Sequence, residues 1–156
     1  MRWLICGTIP LPSLGLVVSD AVVYPAPASG LPDFSHLLLK AQNGSVITLP
    51  VNRGTAALIA AFSLTAQAAG LESPRVLVAG DDGRGGGSRL VYKFLHNNIG
   101  NFAGWGITFH YFLPDIDWHN RLLIALDDVA PRPLLCADAG FLYAAKMSGY
   151  AASYDL

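Results

Sequence analysis

Charge is what this chain has least of. Only 13% of its 156 residues are charged, about half the ~25% usual for a soluble domain. Ten basic residues stand against eleven acidic ones, a net charge of −1, and no basic patch stands out. Nucleic-acid binding therefore has no support. No continuous apolar run approaches the ~18 residues of a membrane span, so no membrane partner is expected. Cysteine is also scarce: Cys6 and Cys136 both sit in apolar, strand-like runs, with no metal-binding spacing. Two buried thiols fit a reducing compartment, and a cytoplasmic location is expected. A disulfide between them is compatible with the sequence, but nothing requires it.

Apolar residues, by contrast, make up 53% of the chain. Either much of it is buried, or it keeps an apolar face for a partner. Strands of a parallel sheet covered on both sides are apolar on both faces, which favours the first. The length suits one domain, large enough to remove roughly 70% of the unfolded surface from water. The stretch from Met1 to Pro10 has the look of a secretory leader, but Gly7, Pro10 and Pro12 interrupt its apolar run. It reads better as a buried first strand.

Residues 1–51 form a Pro- and Gly-rich segment of short apolar runs, expected to be a β-rich part of the same domain. Leu14 to Tyr24 reads as a strand, Tyr24 to Gly30 as a loop, and Ser45 to Val51 as a strand following the Asn43-Gly44 turn signal. From residue 52 the pattern changes. Gly54 to Ala69 is an Ala-rich helix stopped at Gly70, uncharged from Thr55 onward and expected to be nearly all buried. Strand, loop and helix then alternate three times. Strands are expected at 75–79, 106–113 and 133–137, and helices from Arg89 to His96, Trp118 to Leu126 and Phe141 to Ser148. That alternation is the mark of βαβ units. It predicts an α/β fold of three layers, a mostly parallel sheet flanked by helices.

Open α/β sheets bind ligands at the carboxyl ends of their strands. Three expected strands end in acids: Asp81 and Asp82, then Asp115 and Asp117, then Asp138. Gathered on one edge, they could hold Mg²⁺ or receive substrate hydroxyls; taken singly, each is also a natural helix cap. Gly83, Gly85, Gly86 and Ser88 form a glycine loop between strand and helix that could lend backbone N–H groups to a phosphate, or be a surface loop. Asn52, Arg53 and Thr55 open the Ala-rich helix and form a second candidate anion site beside the ordinary reading of a cap. Ser88 is expected to cap the helix that follows the loop. His110 falls inside a strand and reads as a packed residue. His119 lies beside Asp117 on the first turn of a helix, with no nucleophile at a recognisable spacing.

The segment Pro133-Leu134-Leu135-Cys136-Ala137-Asp138-Ala139-Gly140-Phe141 resembles the ribokinase-like superfamily, nearest to the NAD(P)H-hydrate dehydratases and related sugar-kinase-like proteins. In that branch a strand ends in a Val-Leu-Asp-Ala-Asp-Ala-Leu type motif. Asp138 matches its second aspartate, Cys136 stands at the first, and Gly140 replaces the leucine. Arg53-Gly54-Thr55-Ala56-Ala57-Leu58 resembles the family's Gly-containing start of an Ala-rich helix, and the likeness covers residues 45–156. The resemblance implies a ribokinase-like domain over 52–156, incomplete at its carboxyl end, with ATP or ADP and Mg²⁺ as cofactors and Asp138 near the metal. The family's Gly-x-Gly-Asp loop, with its anion hole and catalytic base, has no counterpart up to Leu156. The isolated chain is therefore expected to have no turnover. Two functions stay open: an enzyme acting on a small-molecule substrate and a nucleotide, either sugar kinase or hydrate dehydratase, and a non-catalytic nucleotide or small-molecule binding domain. A truncated sheet leaves an open edge, so self-association into a homo-oligomer is a further expectation.

Overall fold

β1 (Trp3–Ile9) is apolar on both faces and lies between two parallel neighbours, β5 (Arg75–Gly80) and β6 (Gly106–His110). In this computed structural model, residues 1–24, 34–138 and 140–156 are described, without the side chains of Ala21 and Ala144. The expected buried first strand is thus an interior strand of the sheet, and Leu4, Ile5 and Cys6 are fully buried.

The sheet has seven strands in the order β4-β3-β2-β5-β1-β6-β7. β7 (Leu134–Asp138) pairs parallel with β6. On the other side, β2 (Leu16–Val23) runs antiparallel to β5, and β3 (His36–Ala41) and β4 (Val46–Pro50) continue the antiparallel pattern. The expectation of a mostly parallel sheet is therefore corrected. The sheet is mixed, with a parallel block β5-β1-β6-β7 and an antiparallel flank β2-β3-β4 that extends it rather than forming a sheet of its own. The antiparallel pairing has a local cause. β3 and β4 are joined by a tight turn in which Gly44 takes a positive φ of 83° and Asn43 Oδ1 accepts the Ser45 N–H at 3.0 Å. So short a link returns the chain antiparallel, whereas parallel neighbours need a crossover. β3 had no counterpart in the sequence reading. The loop expected to follow Tyr24 falls largely outside the described residues.

Helices cover both faces. α1 (Gly54–Ala68) packs Ala56, Ile59 and Ala60 against Ile5, Val76, Val78, Leu37 and Leu39. α2 (Gly86–Asn98), α3 (Ile116–Asp127) and α4 (Phe141–Met147) bury Val91, Tyr92, Leu122 and Phe141 against Leu4, Cys6, Phe109 and Leu135 on the opposite face. The alternation of Leu4 and Cys6 with Ile5 and Ile9 along β1 feeds the two cores. α1 is less buried than its composition suggested. Only one face meets the sheet, and alanine tolerates water on the other. It ends in a Schellman motif, Gly70 N–H to Gln67 O at 3.1 Å and Leu71 N–H to Ala66 O at 2.8 Å, with Gly70 at φ 67°. Among the described residues no helix is long and apolar enough to cross a membrane.

An aromatic cluster ties down the carboxyl-terminal third. Phe109 stacks on Phe141 with ring centroids 4.8 Å apart, and the buried His119 accepts or donates a 2.7 Å hydrogen bond between Nε2 and the Tyr154 hydroxyl. Leu156 donates its N–H to Leu135 O at 3.2 Å and accepts the Ala137 N–H at 2.9 Å, the bonding of a parallel neighbour opposite Cys136.

The thiols stand apart. Cys6 pairs with Phe109 of β6, and Thr108 of β6 pairs with Cys136, so a whole strand separates them. Two strand spacings of ~4.8 Å exceed the ~6.8 Å limit between disulfide-linked Cα atoms, and both cysteines are free. Burial pushes both thiols up from their ordinary value, Cys6 most. Titration with a thiol reagent at pH 8 should leave Cys6 unmodified in the folded chain and count two thiols after denaturation. A protected pair that reacts only after reduction would contradict this separation.

Candidate functional site

The carboxyl ends of β5, β1, β6 and β7 share one edge because these strands are parallel. Asp81, Asp115 and Asp138 stand on that edge, each following or ending one of these strands. They do different work.

Asp81 is buried, and its carboxylate is surrounded by backbone donors. Oδ1 accepts the N–H groups of Gly83 at 2.8 Å, Arg84 at 3.1 Å and Gly85 at 3.1 Å; Oδ2 accepts that of Ser88 at 3.1 Å. Burial alone would raise its pKa, but the amides of Ser88, Gly85, Gly83 and Gly87 outweigh that and hold it below the usual carboxylate value. The anion in the glycine loop is thus the chain's own. Gly85 takes φ 82°, which lets the loop turn into α2 three residues earlier than expected. Gly87 has no room for a Cβ, which would collide with the Gly80 carbonyl. Ser88 lies inside the helix rather than capping it, and its hydroxyl accepts the Leu113 N–H at 2.9 Å. Gly86 is exposed.

Asp115 caps α3, accepting the Trp118 N–H at 3.2 Å, and pairs with Arg89 at 2.7 Å. Asp117 pairs with Arg121 one turn on, at 3.1 Å and largely in solvent. Asp82 lies 3.6 Å from the exposed Arg84. Gly83, Arg84, Gly85, Arg89 and Asp115 line a shallow cavity of about 210 Å³ with Leu113 and Pro114.

Asp138 belongs to a second group. It ends β7 directly beside His110 of β6, and His110 in turn pairs with Gly7 of β1. Side chains at these three positions share one face of the sheet, the face covered by α1. Gly7 has none, and Thr55 fills the space. A Cβ on Gly7 would lie 2.5 Å from Thr55 Cγ2 and 2.6 Å from the His110 carbonyl oxygen. The start of α1 therefore comes down onto β1, and Thr55 Oγ1 meets His110 Nδ1 at 3.0 Å. His110 Nε2 lies 3.7 Å from Asp138 Oδ2. Thr55 is 1% exposed, whereas half of the Asp138 side chain is open. Burial lowers the His110 pKa and the Asp138 carboxylate opposes this; the net shift is downward, so the imidazole is neutral at pH 7. Asn52 and Arg53 are exposed beside this group, and neither caps α1 with its side chain.

Tyr111, next after His110, takes φ 53°, rare for a residue with a Cβ. Its carbonyl accepts the Thr8 hydroxyl. This turn ends β6 at His110, three residues before the expected end, and leaves His110 at the rim. The sequence pattern gives no role to Gly7 or Tyr111; it marks His110 as a packed strand residue, which it is, but not as the partner of Thr55 and Asp138. His110 looked like any strand residue, and only the lateral register of β1, β6 and β7 reveals its neighbours. Among the described residues no group of three or more His, Cys, Asp or Glu side chains could hold a metal ion. Mg²⁺ commonly takes only one or two carboxylates and completes its shell with phosphate and water; Asp138 offers one half-exposed carboxylate.

The fold and site together define an α/β protein with a Thr–His–Asp chain at the carboxyl edge of a parallel block. Comparison with known proteins found no matching family model, no matching curated protein and no matching solved structure.

Proposed function

We propose that this chain carries part of a ribokinase-like enzyme, of sugar-kinase or nucleotide-dependent NAD(P)H-hydrate dehydratase type. In this reading Asp138 engages Mg²⁺ and the phosphates of ATP or ADP at the carboxyl rim. The observation that carries it is the position of Asp138: an open carboxylate at the tip of a parallel strand, next to a neutral histidine, where α/β sheets receive ligands. When bound, Mg²⁺ would neutralise phosphate charge; this chain's part is to offer Asp138 in a fixed place.

General base work needs a carboxylate or imidazole with an available lone pair. Asp81 is taken up by amides, and Asp82, Asp115 and Asp117 by arginines. Asp138, the remaining candidate acid on this rim, is assigned to ligand binding in this reading, so the chain by itself is expected to bind and not to turn over. Those same pairings favour the second reading, a non-catalytic nucleotide or small-molecule binding domain.

Titration of the purified chain with Mg·ATP and Mg·ADP, followed by NMR, should shift resonances around His110 and Asp138, and Asp138→Asn should abolish the effect. No perturbation there at millimolar nucleotide would sink the enzyme reading and the nucleotide-binding form of the second. ATP hydrolysis or hydrate dehydration by the purified chain would exclude the binding-only reading and the expectation of inactivity.

A further inference from the structure

Thr55, His110 and Asp138 are spaced like a nucleophile, base and orienting acid, but the exposure runs the wrong way for that chemistry. The hydroxyl is buried and the carboxylate is open. A nucleophile must reach its substrate; Thr55 does not. The chain therefore acts from the inside outward.

The electrostatics select one arrangement of protons. Were the imidazole proton on Nδ1, the Nε2 lone pair would face the Asp138 carboxylate across 3.7 Å, and two acceptors would repel. With the proton on Nε2, the N–H side of the ring lies 3.7 Å from the carboxylate, an electrostatic attraction longer than a hydrogen bond, and Nδ1 accepts the Thr55 O–H at 3.0 Å. Which nitrogen of a histidine carries the proton is set by the bond the other one makes. The near-absence of solvent at Thr55 leaves its hydroxyl few other acceptors. Gly7 makes the whole arrangement sterically available.

We propose that Thr55 locks His110 in its Nε2–H tautomer, making His110 a positioning residue that holds the Asp138 carboxylate in orientation for its ligand. The inference rests on the reading of Asp138 as the rim's binding carboxylate. Its first test does not need the ligand. Long-range ¹H–¹⁵N spectra of the unliganded chain at pH 7.5 should show His110 almost entirely as the Nε2–H form. Thr55→Ser should keep that signature, and Thr55→Val should turn it into a mixture of tautomers. A predominant Nδ1–H form in the wild type, or an unchanged spectrum in Thr55→Val, would overturn the proposal. If Thr55→Val does not fold, the wild-type tautomer still decides.

The second test uses Mg·ATP as the probe. Loss of a group that orients a metal ligand typically weakens affinity by about 10- to 100-fold. Thr55→Val should fall at the low end of that range, and Thr55→Ser should recover the wild-type value. Equal affinity in all three chains would overturn the positioning role. Absence of Mg·ATP binding in the wild type, with the tautomer signature intact, would defeat the reading of Asp138 and leave the lock standing.

Discussion

Replacing Asp81 by alanine should destabilise the protein by about 3 kcal/mol or more, because hydrogen bonds to a charged group contribute roughly 1.5–3 kcal/mol each and orphaned buried donors add their own cost. Four backbone N–H groups, those of Gly83, Arg84, Gly85 and Ser88, converge on this one carboxylate. They include amides at the start of α2 that no helical carbonyl can satisfy. For a chain of this size that loss corresponds to a fall in Tm of about 10 °C. Asp81→Asn should recover part of it, since the carboxamide oxygen still accepts while its NH₂ faces the Ser88 donor.

The pH dependence follows from the sign of the shift. The folded pKa of Asp81 lies below its unfolded value. Its contribution is therefore complete above the unfolded pKa of about 3.9, and is lost as the pH falls through the lower, folded one. The stability difference between wild type and Asp81→Asn, measured by urea unfolding, should be constant from pH 7 to about 5 and shrink in stronger acid. If Asp81→Ala unfolds at the wild-type temperature, the carboxylate does not hold the loop.

Gly7→Ala should be nearly as damaging, at about 2–3 kcal/mol, the upper part of the usual overpacking range. The added methyl would meet the His110 carbonyl oxygen at 2.6 Å, and backbone in the middle of a sheet has little freedom to retreat. α1 would have to lift off β1, and the Thr55–His110 bond would go with it. Gly86→Ala is the contrasting substitution. Its Cβ meets nothing within 4 Å, and the residue lies in a helix without a positive φ. It should be neutral or stabilising by up to about 1 kcal/mol. Thermal denaturation of the pair separates steric need from glycine content; equal stability of Gly7→Ala and wild type would refute the close approach.

Much of the architecture was legible along the chain. The apolar run around Cys6, the Ala-rich stretch closed by Gly70 and the three strand–loop–helix units after residue 74 all became the elements their patterns announced. These are local signals, carried by periodicity and by glycine and proline punctuation. The antiparallel flank was less legible, because the short apolar runs of residues 14–51 give no sign of which neighbour they choose. β2 pairs with β5, more than fifty residues away, and a sequence pattern has no term for that partner. The end of β6 was missed because a positive φ at Tyr111 is not a preference of tyrosine; the fold imposes it.

The acids divide along the same line. That Asp81, Asp115, Asp117 and Asp138 follow strands could be read directly from their order, and parallel pairing then placed the strand ends on one edge. Composition and periodicity determined a largely apolar α/β chain with carboxylates after its strands, because those features depend on neighbours a few residues apart. Only the tertiary structure decided that the glycine loop closes on Asp81 and that Thr55 reaches His110 through the space left by Gly7. The Asp81 bonds stay within one short loop, but its path depends on the turn made at Gly85; Thr55 and Gly7 meet His110 across 55 and 103 positions, and lateral strand register and the seating of α1, not local pattern, bring those together.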